Sequence, residues 1–166
     1  MRNPKLLVQK NGDLVFTSLE LPFYEVLQEL PSLLKAAGTD PRSRKRLLPD
    51  AYESEEDNED WRKHATPDTE HLFCSARDLV ELDILQMKRD PLRPATWQLF
   101  ISASHHTAWM TSLNAARLAL GEIYRITESD MDGARVFDSA SERDAAILKI
   151  RLLAWLEELL VLATEG

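Results

Sequence analysis

Between Ile147 and Leu162 apolar side chains fill almost every position, including Ile147, Leu148, Leu152, Leu153, Trp155, Leu156, Leu159 and Leu160. Wound at 3.6 residues per turn, they cover the whole circumference of a helix. A helix apolar all round must be surrounded, either by the rest of its own chain or by a second copy. Both solutions stay open at this stage, and both demand further helices or a sheet to wrap it. Glu157 and Glu158 interrupt the run, which falls short of the roughly 20 apolar residues of a membrane span. No membrane contact is therefore expected.

The other segments can be read for their power to do the wrapping. Leu6-Leu7-Val8-Gln9 and Leu14-Val15-Phe16-Thr17 flank Asn11-Gly12, a pair suited to the positive φ angles of a tight turn, which predicts a hairpin. A helix is predicted from Pro22, with Phe23, Leu27, Leu30 and Leu34 on one face. Pro31 should kink or split it, since proline lacks the ladder donor and crowds the turn before it. Asp40-Pro41 starts a short basic helix. Residues 53–60 carry six acids and read as a solvated loop or a polar helix.

Thr66-Pro67 opens a helix with the stripe Phe73, Ala76, Val80, Ile84 and Met87. Trp97 to Ile101 reads as a short strand. Ser102 or Ser104 should cap the next helix, whose apolar face is Trp109, Leu113, Ala116, Leu120 and Tyr124. Residues 127–141 read as a surface loop, and Ser139 with Glu142 as a capping box for the last helix. The fold class is thus mainly α: a helical domain of about five helices with a small N-terminal β hairpin.

At 166 residues, 44% of them apolar, one domain with a substantial core is expected. The net charge of −8, from 28 acids against 20 bases, works against phosphate backbones and anionic membranes. The exception is Arg42-Ser43-Arg44-Lys45-Arg46, four cations in five residues. It could touch DNA, but an acidic run follows closely and no aromatic residue is interleaved, so intrachain charge balance is the preferred reading and nucleic acid is not expected as a partner. The lone cysteine, Cys74, excludes an intramolecular disulfide and a secreted disulfide framework. The chain reads as cytoplasmic.

His64, His71, His105 and His106 lack the spacing of a metal site. His71 and Asp78 share a helix face with Cys74; a structural cysteine is preferred, with redox activity through Cys74 kept open. Asp130-Met131-Asp132-Gly133 resembles the start of a calcium loop but has no properly spaced glutamate. With no phosphate loop or catalytic carboxylate pair, no enzyme activity, catalytic residue, cofactor or metal is expected.

Two stretches remain: Leu47-Leu48-Pro49-Asp50-Ala51-Tyr52, and Trp109 through Leu113-Asn114-Ala115-Ala116-Arg117-Leu118-Ala119-Leu120-Gly121. With Asp60-Trp61-Arg62, Ala65-Thr66, Ile126, Trp155-Leu156 and Leu159-Leu160, they resemble the bacterial AosR family. The resemblance spans most of the chain and implies a single AosR-like helical domain over residues 1–166, cytoplasmic, linked in some members to transcription control under oxidative stress. The chain departs from the family pattern at Trp61, Pro67 and Ala115. A switch built from two thiols in one chain cannot operate with Cys74 alone.

Asn114, Arg117 and Gly121 fall on one side of their helix. They are expected to form a clamp: Arg117 binds Asp50 through two parallel N–H donors, Asn114 satisfies the irregular backbone of residues 48–50, and Gly121 permits close approach. Leu47, Leu48 and Tyr52 would anchor the segment in the core. The alternative is a binding face at Asp50, Tyr52, Asn114, Arg117 and Gly121. The function expected is non-enzymatic, that of a regulatory or adaptor-like protein acting through contacts with an unidentified protein, or with a second copy through the last helix. Two alternatives stand beside it: a DNA-contacting regulator using residues 42–46, and a small-ligand sensor or enzyme at the Asn114/Arg117 face.

Overall fold

The hairpin forms where expected. In the computed structural model, which describes residues 2–132, 138 and 140–165, β1 (Lys5–Val8) pairs antiparallel with β2 (Leu14–Leu19). Gly12 takes φ +88°, the left-handed conformation the turn needs. The hairpin is half of a larger sheet. β3 (Lys88–Asp90) and β4 (Arg93–Ile101) complete an antiparallel sheet in the order β1-β2-β4-β3. Leu14 opposes Ile101 and Phe16 opposes Leu99, so these four buried side chains share the face turned to the core. The expected strand at Trp97 to Ile101 is the second half of β4. The expected helical stripe ran on to Met87; instead the helix stops at Leu85 and the chain turns into β3.

Among the described residues there are seven helices, against the about five expected: α1 (Leu21–Thr39), α2 (Pro41–Leu47), α3 (Glu55–His64), α4 (Thr66–Leu85), α5 (His106–Ile123), α6 (Glu128–Met131) and α7 (Glu142–Glu165); of these α1, α4 and α7 meet the sheet. The additions are α3, which turns the acidic run into a polar helix, and α6, one turn inside the expected loop. Thr127 and Asp130 cap α6 reciprocally. Ser139 lies outside the described residues, and with it the expected Ser139–Glu142 box. Neither Ser102 nor Ser104 caps α5; their hydroxyls bond each other at 3.0 Å, Ser102 just before and Ser104 within a short 3-10 turn over Ala103–His105.

Pro31 does not split α1, which runs unbroken from Leu21 to Thr39. Phe23, Val26, Leu27 and Leu30 are buried before the proline, and Leu34 and Ala37 after it. Burial of each large apolar side chain contributes about 1.5–3 kcal/mol. Four such side chains before the proline and Leu34 after it together outweigh the roughly 3 kcal/mol an interior proline costs.

α7 fills the role its composition demands. It packs along α5 and against α1 and β1, burying Ile147, Ile150, Leu152, Leu153, Leu156 and Leu160. Its circumference is not closed, however: Leu148 stays 47% exposed and Leu162 56%. No helix among the described residues is long and apolar enough to cross a membrane.

Candidate functional site

The two stretches that drew attention in the sequence do not clamp each other. Asp50 gives both carboxylate oxygens to Arg62 of α3, with Nε to Oδ1 at 2.8 Å and Nη2 to Oδ2 at 2.6 Å. Arg62 also reaches Glu55. Those hydrogen bonds hold the Asp50 carboxyl below its ordinary value. Arg117 is paired instead with Glu157 of α7. A task like that set for Asn114, but at Tyr52 rather than at residues 48–50, is done by Asn58 of α3, whose amide accepts from the Tyr52 N–H (2.9 Å) and donates to the Tyr52 carbonyl (2.7 Å). Asn114 is exposed, and nothing lies within 4 Å of a Cβ built on Gly121. Tyr52 is 55% exposed and meets Trp61 edge-on rather than entering the core. The bidentate arginine and the backbone-satisfying asparagine thus exist, but α3, twelve residues on or fewer, supplies both. A nearby helix closes a short loop at lower entropic cost than a distant one.

Half of the basic tract is spent inside the chain. On α2, Arg44 pairs with Glu70 of α4 and Arg46 with Glu122 of α5 at 2.7 Å. Arg42 and Lys45 stay on the outer side, beside Pro49.

These pairs frame a cleft that no sequence motif announced. It lies between the C-terminal end of α1, α2, α4 and the first turns of α5, with a volume of about 710 Å³. That is within the span of roughly 300–1,000 Å³ typical of small-molecule sites. Leu47, Leu48, Leu72, Phe73 and Leu79 give it an apolar wall, with Ala76 and Ala108 deeper in. Leu47 and Leu48 both line this cleft; Leu47 also packs against the core. Leu72 stands at its edge, 69% exposed. Cys74 lines the cleft too, half-buried and outside any disulfide. Because α4 presents residues 69–79 on a helical period, its inward positions meet the core while the intermediate ones open onto the cleft. A sequence stripe marks the first set and is blind to the second.

A family model described as "Domain of unknown function (DUF2017)" matches residues 15–164. The chain belongs to the DUF2017 family. No curated protein and no solved structure matches it.

A second polar cluster of this DUF2017 protein also escaped the sequence. Asp83, buried on α4, accepts from the indole Nε1 of the fully buried Trp109 at 2.8 Å and lies 2.9 Å from Nδ1 of His105. A buried carboxylate needs partners of this kind. The arrangement joins α4 to the start of α5 and orients the imidazole. Sequence reading weighed His105 only as a metal ligand. Its partner, 22 positions earlier, gave no signal because Asp83 looks like one acid among many. Among the described residues no group of three His, Cys, Asp or Glu is placed to hold a metal ion.

Proposed function

We propose that this DUF2017 protein is a non-enzymatic regulatory or adaptor-like protein that binds an apolar small molecule in the α1/α2/α4/α5 cleft and passes occupancy on through protein contacts. The cleft itself carries the reading: a volume of about 710 Å³ walled by leucines and Phe73. Its one lining carboxylate, Glu70, is engaged by Arg44. Apolar shape with few polar groups suits recognition. The small-ligand alternative therefore moves from the Asn114/Arg117 face, where Glu157 occupies the guanidinium, to the cleft. A redox role for Cys74 would act through the same wall. The stress link rests on the resemblance to the AosR family. DNA contact loses support because Arg44 and Arg46 are already neutralised.

Fluorescence of the neutral probe N-phenyl-1-naphthylamine tests the reading. The native protein should enhance it, and Thr111→Trp, an exposed position on the cleft wall, should abolish the enhancement while leaving the circular dichroism unchanged. Equal enhancement by both proteins would refute the cleft as the site.

A second reading, self-association, is favoured by α7. Leu148, Trp155, Leu159 and Leu162 fall seven, four and three residues apart, the spacing of a helix–helix seam, and Leu148 and Leu162 are exposed. Light scattering should then give a dimer that Leu148→Glu dissociates; a native monomer at high concentration would end this reading.

A further inference from the structure

We propose that the ligand of the cleft is an aliphatic chain ending in a carboxylate, held by its tail against the leucines and by its head at Lys35 and Arg77. This rests on the cleft being a small-molecule site. The apolar side chains of the wall are aliphatic apart from Phe73, which suits a flexible hydrocarbon better than a planar ring system. The charges around it run against those of the chain as a whole. The protein carries −8, yet the cleft is lined by three cations, Lys35, Arg44 and Arg77, and one carboxylate, Glu70.

Arg44 and Glu70 neutralise each other. Lys35, exposed on α1, has no ion-pair partner among the described residues. Arg77 is answered only by its sequence neighbour Asp78, at 3.5 Å, with the aspartate largely in water, and such a pair is weak. One unpaired and one weakly paired cation beside an apolar wall complement a single anionic head. An ammonium head would meet like charge there, and a neutral head would leave both cations unanswered. A dianionic phosphate asks for a cradle of convergent donors; the cleft offers two side chains on separate helices.

Calorimetric titration of the full chain, below micelle concentrations, tests this with dodecanoate, 1-dodecanol and dodecylamine. Dodecanoate should bind at least about tenfold more tightly than dodecanol, and dodecylamine most weakly. Each methylene added to the acid should tighten binding up to about fourfold. In Lys35→Gln/Arg77→Gln, both positions lying outside the core, the preference for dodecanoate should vanish while dodecanol affinity holds. Dodecanol binding as tightly as dodecanoate, or a preference that survives the double substitution, would overturn the carboxylate assignment and leave the cleft reading intact. Binding of none of the three, together with no response to N-phenyl-1-naphthylamine, would overturn both.

Discussion

A single carboxylate can be read by counting what it satisfies. Asp83 serves the fully buried Trp109 indole and the partly buried His105 ring. Asp83→Ala leaves a buried N–H without an acceptor, and about 1–3 kcal/mol of stability should go with it. Asp83→Asn keeps an acceptor for Trp109 and should recover much of that loss in urea titrations. Asp50 behaves differently because it is near the surface. Its carboxyl sits below the ordinary value of 3.8 through Arg62, so its contribution is present above that pH and fades as pH falls through the lower folded value. Arg62→Ala should remove this acid sensitivity and speed hydrogen exchange at the Tyr52 amide, with little change in the global midpoint. Arg62→Lys should not restore protection, since an ammonium cannot reproduce the two-pronged contact. The kinds of residue involved were legible in the sequence; the partners were not. An arginine suited to Asp50 exists at both Arg62 and Arg117, and residue type alone cannot choose between them.

Elements were legible in proportion to how far their periodicity is their own. The Asn11-Gly12 hairpin, α4, α5 and α7 all follow from local pattern. β3 does not: Lys88-Arg89-Asp90 has no apolar alternation and becomes a strand because β4 lies beside it. α3 shows the same dependence, for its helicity rests on Ser54 at its start and on bonds to residues 50–52. In α1 local chemistry was overruled, and the overruling can be measured. Pro31→Ala should restore one ladder bond worth up to about 3 kcal/mol, less about 0.4–1 kcal/mol for the freer unfolded chain. A net gain of roughly 2 kcal/mol should raise the denaturation midpoint. An unchanged midpoint would mean that the turn around Leu27 has already adapted to the missing donor.

At the scale of the molecule, the last helix organises the rest. α7 is wrapped by α5, α1 and β1, so residues from both ends of the chain meet around it. The cleft is a by-product of this plan, left where α2 and α4 lean on α1 and α5 without a further element to cover them. That is why sequence reading missed it: a cleft is made by what four helices fail to fill, and no single helix encodes it. The sheet has its own bearing on how the chain assembles. β2 opposes β4 in a register that joins Leu14 to Ile101, with α1 to α4 lying between them in sequence. During synthesis the hairpin must therefore wait, one edge unpaired, until the chain beyond Arg93 has emerged. Such an edge is a template for the wrong partner, and pairings this distant are slow to form. Chains ending before Arg93 should accumulate as aggregates in sedimentation assays. The full protein should refold with a slow phase, sensitive to substitutions at Phe16 and Leu99 but not to those on α3.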